Sequence, residues 1–511
     1  MVSCESVATG WRDRPCFVTR GAILGSSQIA TAPAMTSLSA VLAAESPRLS
    51  PRSVPLASRL IGGAGPLIFL ILIIQAFQRQ GLLVWSIGIA YILYDTALVG
   101  FTAWQIRPLR HGARRPVPAG AKPGLGVIVA AHNEASVIGS TIDRLLAQDE
   151  PPEWILIADD GSTDATAEIL GQLYGLTTPE WGGMSGPTNA CPTLRWLRLP
   201  HGGKARALNV ALERIGTPIV LTVDADTLLE PGAIAAMRDA FAAEPELVAA
   251  TGVLVPICGP HLSGRLFEWF QRYEYVRNFL SRHAWEQVHG LLLISGAFAA
   301  FRREAVIAVG GFDPECMVED YELIHRLHRH AGDHGLDWRV RVVGGALART
   351  DAPASIMSFL RQRRRWFGGF LQTQYWNRDM VGNRRYGRLG TAMLPVKALD
   401  TVQPVYGLAA FIILIVVVAT GHFRVAFPIL LVMLAKIAID LTFHLWSLGI
   451  YKSWTGQPEG LAIGPALIAA VAEPFSFQLL RHSGAIWGWH AFLTGKESWG
   501  RQTRTAIPGG R

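Results

Sequence analysis

The chain has 511 residues, 50% of them hydrophobic and only 17% charged, and a mean hydropathy of +0.27. Ordinary soluble chains carry about 25% charged residues, so this composition excludes a disordered polypeptide and argues against a purely soluble one. The balance of 47 Lys and Arg against 39 Asp and Glu suits anionic lipid or nucleotide phosphate, and no nucleic-acid partner is expected. Cys4, Cys16, Cys191, Cys258 and Cys316 form no C-x-x-C pair, so they indicate neither a disulfide framework nor a zinc ribbon.

Residues 1–58 are rich in Ser, Ala, Pro and Arg without a period and are expected to form a loose tail, with Met35 as an alternative start. No signal peptide is expected, because the first apolar run begins too far from the amino terminus. Leu60 to Phe77 has no charge and Leu82 to Ile106 only Asp95, so each can cross about 30 Å of hydrocarbon as a helix. With Arg79, Gln80 and Gly81 as the turn, residues 59–106 read as two transmembrane helices. Arg48, Arg52 and Arg59 precede the pair and Arg107, Arg110, Arg114, Arg115 and Lys122 follow it. The positive-inside rule then puts both flanks, and the domain that follows, in the cytoplasm.

Residues 107–391 are mixed in character. Val127 to Ala131 leads into Ser136 to Ala147, and Trp154 to Ala158 into Ala165 to Leu173, an alternation that predicts a parallel sheet covered by helices. Ligands of such sheets lie beyond the carboxyl ends of the strands. His132-Asn133-Glu134 closes the first strand, Asp159-Asp160-Gly161-Ser162-Thr163-Asp164 the second, and Asp224-Ala225-Asp226 the strand Pro218 to Val223. Asp224 and Asp226 suit a hard divalent cation, although such a pair also serves as a solvated loop or helix cap. Gly202-Gly203-Lys204 opens a helix with N–H groups and an ammonium for an anion, or is an ordinary basic helix start. Glu319-Asp320 opens another helix, where Asp320 is either a cap or a base for an acceptor hydroxyl. Gln362-Arg363-Arg364-Arg365-Trp366 offers guanidinium forks to phosphate and an indole to a sugar ring, or a basic anchor to anionic lipid.

Residues 392–511 return to apolar segments. Val402 to Thr420 and Val425 to Leu448 are long enough to cross, and Leu461 to Leu480 is a third candidate that Glu473 and Pro474 interrupt. Trp487, Trp489 and Trp499 read as interface residues, and the basic tail of Lys496, Arg501, Arg504 and Arg511 prefers the cytoplasm. The number of spans here stays open. Asp95, Lys436 and Asp440 lie inside apolar segments, where they either pair structurally or line a polar path. Leu266 to Phe279 is amphipathic and lies either under the membrane or in the core. His325, His328 and His330 share a helix but lack an acidic third ligand, so no metal is expected on them.

In order, Ala130-Ala131-His132-Asn133-Glu134, Asp159-Asp160-Gly161-Ser162, Gly203-Lys204-Ala205, Asp224-x-Asp226, Glu319-Asp320 and Gln362-x-x-Arg365-Trp366 resemble the signature of processive, membrane-embedded family 2 glycosyltransferases. That group includes poly-N-acetylglucosamine, chitin, hyaluronan and cellulose synthases. The resemblance implies an α/β GT-A-type (nucleotide-diphospho-sugar transferase) cytoplasmic domain inserted between N- and C-terminal transmembrane helices, in a bacterial-type inner membrane. It implies that Glu134, Asp159 and Asp160 hold the nucleoside, that Lys204 lies beside it, and that Asp224 and Asp226 bind the diphosphate through Mg²⁺ or Mn²⁺. Asp320 would be the general base; Gln362 and Arg365 would hold the donor phosphates, and Glu319 and Trp366 the acceptor. Ala130 and Val318 depart from the usual Pro and Thr, leaving the acids intact. No cyclic-dinucleotide-binding domain follows the last span, which lowers bacterial cellulose synthase. The partners expected are a UDP-sugar, foremost UDP-N-acetylglucosamine, a growing polysaccharide or lipid acceptor, the membrane, and an export partner of unknown kind. Two rivals remain: transfer of a single sugar to a lipid, and a nucleotide-sugar-binding transporter or receptor without turnover.

Overall fold

The computed structural model describes residues 37–111, 120, 122–456 and 463–495. Cys4, Cys16, Met35, Arg114, Arg115, Trp499 and the basic tail lie outside these residues. Eight strands make one sheet: β1 (Leu125–Ala131), β2 (Trp154–Asp160), β3 (Leu194–Leu199), β4 (Ile219–Asp224), β5 (Thr227–Leu229), β6 (Leu247–Ile257), β7 (Phe298–Arg302) and β8 (Arg339–Asp351). Their order is β3-β2-β1-β4-β7-β6-β8-β5. The half β3-β2-β1-β4 is parallel; β1, β2 and β4 are apolar up to their carboxyl ends, whereas the edge strand β3 carries Arg195 and Arg198.

The sheet is mixed rather than wholly parallel. β7 runs antiparallel to both β4 and β6: after the long helix Leu262–Glu286 the chain re-enters the sheet from the end at which β6 finished, with Phe298 opposite Val223. That reversal brings Ala297, just before β7, against the end of β4: the Asp224 N–H donates to the Ala297 carbonyl at 3.2 Å. The domain is the expected α/β GT-A type, with apolar helices at both ends.

Among the described residues four helices are long and apolar enough to cross a membrane: Leu56–Gln78, Gly81–Gln105, Leu389–Ala419 and Phe423–Thr455. The first shows Leu60, Leu67, Leu70, Ile71 and Phe77 on its outside, as a lipid-facing helix does. The third carboxy-terminal candidate is not a single span. Glu473–Phe475 is a tight turn holding Pro474, and it separates Ile463–Ala472 from Phe477–Thr494. Phe477–Thr494 packs instead on the helix Ile356–Trp376, where Gly484 and Gly488 bring the backbones together. A Cβ on Gly488 would lie 2.9 Å from the Gly368 nitrogen.

The intramembrane charges both pair and face a cavity. Lys436 Nζ is 2.6 Å from Asp95 and 2.5 Å from Asp440, and Arg277 of the helix Leu262–Glu286 reaches both acids at 3.7 Å. That helix therefore lies against the membrane bundle while burying Val276, Phe279 and Leu280 in the main core. The expected loose tail is also corrected over its last third. Residues 37–58 form the helix Leu38–Glu45, capped by Ser37, and a following segment tied to the catalytic domain through Arg48 and Arg52. Charged and apolar partners 265 residues away in the chain hold it, which no local period announces.

Candidate active site

The register aligns the strand ends that carry the motifs: Ala131 lies beside Asp159, and Ala130 beside Asp224. A positive φ of 57° at Asn133 lets its Oδ1 accept from Thr163 and Asp164 N–H groups at 2.7 and 3.2 Å, while Ser162 Oγ accepts from the Asn133 N–H. The first two motif loops are thereby locked together. Asp164 stays below the ordinary carboxylate range: burial, which would raise it, is outweighed by donors from Thr166 and Ala135.

Asp159 is buried and turned inward, its oxygens accepting from the Trp196 indole at 3.2 Å and the Ser162 N–H at 2.9 Å. Asp160 is buried too, and accepts from the N–H groups of Gly202 and Gly203 at 2.7 and 2.9 Å. Gly161 must lack a side chain here, since its φ is +68° and a Cβ would stand 2.7 Å from the His201 nitrogen. What faces outward at this rim is a stacked pair of imidazoles, His132 and His201, with centroids 4.3 Å apart and both rings bonded to Asp160. His201 is the residue that motif spacing missed. Glu134 is half-buried at the same rim, its N–H donating to Thr166 Oγ1.

The loop capped by Asp160 delivers Lys204, first residue of the helix Lys204–Arg214. Its Nζ lies 2.6 Å from Asp224 and 3.2 Å from Glu319. Burial opposes the ammonium, but Asp224 and Glu319 outweigh it, so the Lys204 pKa is raised and the charge fixed. Glu319 opens the helix Glu319–His334, and the next carboxylate, Asp320, accepts from the Gly296 N–H at 2.6 Å and the Tyr321 N–H at 2.8 Å. Gly296 is next to Ala297, whose carbonyl holds the Asp224 N–H. The contacts thus close a ring from Lys204 through Asp224, Ala297, Gly296, Asp320 and Glu319 back to Lys204. Asp226 is buried just below, its carbonyl accepting from the Asp351 N–H at the end of β8.

Asp320 is raised above the usual carboxylate value, first by burial and then by the adjacent Glu319, with Lys204 and the two N–H donors working the other way. Such a carboxylate is a stronger base than an exposed one. Gln362, Arg365 and Trp366 stand on the helix Ile356–Trp376. Gln362 is buried and its Oε1 has no hydrogen-bond partner among the described residues, while Trp366 lies under the Arg363 guanidinium at 4.5 Å. Trp366 and Tyr321, the neighbour of Asp320, share the wall of a cavity of about 450 Å³ that continues past Arg277 to Asp95, Lys436 and Asp440 among the membrane helices.

The family model described as "Glycosyl transferase family 2" matches residues 126–310, and that described as "Glycosyl transferase family group 2" matches residues 219–435. Between them they take in every element of the ring. Over residues 126–435 the chain belongs to glycosyl transferase family 2. The poly-beta-1,6-N-acetyl-D-glucosamine synthase of Staphylococcus epidermidis is 24% identical over 300 residues, 58% of this chain and 66% of the relative. The beta-monoglucosyldiacylglycerol synthase of Synechocystis is 28% identical over 308 residues, covering 58% of this chain and 57% of that enzyme. The chain thus spans less than two thirds of the length of these relatives. A solved mannosyltransferase from Pyrobaculum calidifontis, in complex with GDP-Man and Mn²⁺, aligns at a TM-score of 0.48 and 21% identity, over 77% of this chain and 99% of its own.

Among the described residues, the group of three ligand side chains that converges is not the expected Asp224 and Asp226 pair, whose first member is held by Lys204. Asp224 and Asp226 bring oxygen only, the set that a hard cation such as Mg²⁺ or Mn²⁺ prefers. His132, Asp160 and His201 have ligand atoms within 4.8 Å of one another and bring two nitrogens, which suit a softer transition ion. The three histidines on the helix Glu319–His334 do not converge. His325 bonds to the Tyr321 carbonyl, His328 to that of Leu291 and His330 to Glu45, and burial pushes the His325 pKa down to about 3.

Proposed function

We propose that this protein is a membrane-bound inverting β-glycosyltransferase that polymerises a sugar from a UDP-sugar donor, UDP-N-acetylglucosamine foremost. The observation that carries the reading is the closed ring, which faces a base of raised pKa, Asp320, with the cation Lys204 and the carboxylate Asp224. The nucleoside would lie on the rim of Glu134, Asp159, Asp160 and the stacked imidazoles, the two inward-turned aspartates shaping its floor. Asp224 and Asp226 would hold Mg²⁺ or Mn²⁺, which supplies positive charge to the leaving diphosphate.

In the transfer, the acceptor hydroxyl oxygen forms the new bond to the sugar's anomeric carbon as the bond from that carbon to the diphosphate breaks. The hydroxyl proton passes to Asp320 and UDP leaves with the electron pair. Attack from the face opposite the diphosphate inverts the configuration. Gln362, with its unpartnered buried oxygen, and Arg365 would bind the donor, while Glu319 and Trp366 would hold the acceptor. The cavity running from Trp366 to the intramembrane ion pairs favours a long acceptor and supports export of the product through the bundle. Basic residues flanking the first helix pair support an inner-membrane protein with the catalytic domain in the cytoplasm.

The monoglucosyldiacylglycerol synthase likeness favours a second reading, transfer of one sugar to a lipid. Purified enzyme fed radiolabelled UDP-N-acetylglucosamine separates the two. A polymer stays at the origin of a chromatogram, whereas a glycolipid migrates with the organic phase.

A further inference from the structure

The segment that precedes the first membrane helix is fastened to the catalytic domain at four points. A Cβ on Gly310 would fall 2.2 Å from the Leu42 nitrogen, so the helix Leu38–Glu45 rests directly on backbone there. Arg48 grips Asp313 with both ends of its fork, Nε to Oδ2 at 3.0 Å and Nη2 to Oδ1 at 2.9 Å. Glu45 reaches His330 at 3.2 Å and Arg52 reaches Asp333 at 2.7 Å, both on the catalytic helix Glu319–His334.

Asp313 is 0% exposed, and among the described residues its carboxylate receives, apart from Arg48, only the Glu315 N–H at 3.0 Å. It sits in the middle of the loop that leads into Glu319 and Asp320. The other side of that loop is already clamped. Asn209 exchanges two hydrogen bonds with Phe312, Arg326 donates to the Gly311 carbonyl, and Gln372 accepts from the Met317 N–H and donates to the Glu315 carbonyl. Asn209 and Gln372 belong to the helices that carry Lys204 and Trp366, so the loop's inner face is set by the active site itself. Its outer face is set by Arg48.

We propose that Arg48 is a positioning residue for Asp320, and that Leu38 to Arg52 is a strap holding the pre-catalytic loop against the ring. This rests on the reading of Asp320 as the base. A buried carboxylate stripped of its cation rearranges to find water or another donor. Asp320 begins seven residues later, and small misplacements of a reacting group cost turnover rather than binding.

The test uses the full chain in detergent and measures UDP release against donor concentration and pH. Arg48→Gln is expected to lower kcat by about tenfold to hundredfold with donor KM within about threefold. It is also expected to move the acid limb of the kcat profile, which Asp320 sets. Arg48→Lys, which keeps the charge but not the fork, should fall between Gln and the native residue. Arg79→Gln, in the turn between the first two membrane helices, should leave all of these unchanged. Unaltered kcat and acid limb in Arg48→Gln, or a loss carried wholly by KM, overturns the proposal. Should the Gln variant fail to fold, the Lys variant decides by the same two readouts. Asp320→Asn on the same preparation tests the base separately, because full activity there defeats the reading of Asp320 whatever Arg48 does.

Discussion

Lys204 Nζ stands 2.6 Å from Asp224, and the same ammonium lies 3.2 Å from Glu319, so one half-buried cation joins the end of β4 to the start of the helix Glu319–His334. Removing it leaves the half-buried Asp224 and the buried Glu319 without their shared cation. Lys204→Met should therefore raise the donor KM by tenfold or more and reduce stability by about 1–3 kcal/mol. Donor titration of UDP release and thermal melting in detergent check both effects.

The raised pKa of Asp320 fixes the sign of one limb of the pH profile. A base works only when ionised, so kcat should climb with pH through a value above the usual carboxylate range and flatten once Asp320 is charged. The stability contribution has the opposite slope: a carboxyl whose folded pKa is raised favours the fold when protonated, and loses that contribution as pH rises through the same window. Rate profiles measured beside melting curves across the acid range test the pair of slopes.

Gly296 is next to Asp320 because nothing larger fits. A Cβ there would meet Asp320 Oδ2 at 2.8 Å and its Cβ at 3.0 Å. Gly296→Ala should push the carboxylate off the Gly296 N–H and lower kcat by at least about tenfold, with donor KM little changed. Steady-state kinetics at saturating acceptor read this directly, and an unaltered kcat would show that the contact is not needed.

Within the bundle, Lys436 is shared by Asp95 and Asp440, with Arg277 at 3.7 Å from both. Lys436→Met leaves Asp95 and Asp440 with the more distant Arg277 to share and should destabilise the protein by about 3 kcal/mol. The double variant Lys436→Met, Asp440→Asn, which keeps Asp95 to neutralise Arg277, should recover most of that loss. Melting temperatures of the purified variants in one detergent decide it.

Much of this arrangement was legible because strand ends are where α/β sheets gather ligands. Reading β1, β2 and β4 as strands was enough to bring Asp160 and Asp224 to one edge, and the ordered motifs pointed to the family that the matches over residues 126–435 establish. Motif type could not say which way a carboxylate turns. Asp159 and Asp160 face inward because Trp196 and the Gly202–Gly203 N–H groups claim them, and those partners lie on other strands and loops. His201 carries no local pattern, so only the stacking on His132 marks it. Arg48 was lost among the basic residues that flank the first membrane helix, since its partner Asp313 comes from a distant part of the chain. The antiparallel β7 and the break at Pro474 follow from the path of neighbouring helices, which hydropathy alone does not record.

The most direct test of the ring as a sugar-transfer site is UDP release by purified full-length protein and by its Asp320→Asn variant, with UDP-N-acetylglucosamine and the other UDP-sugars offered in turn. The account predicts release with one donor, dependent on Mg²⁺ or Mn²⁺, and a fall of about 10²–10⁴-fold in the variant with donor binding retained. Equal turnover in the two proteins, or no release from any nucleotide-sugar, would contradict it.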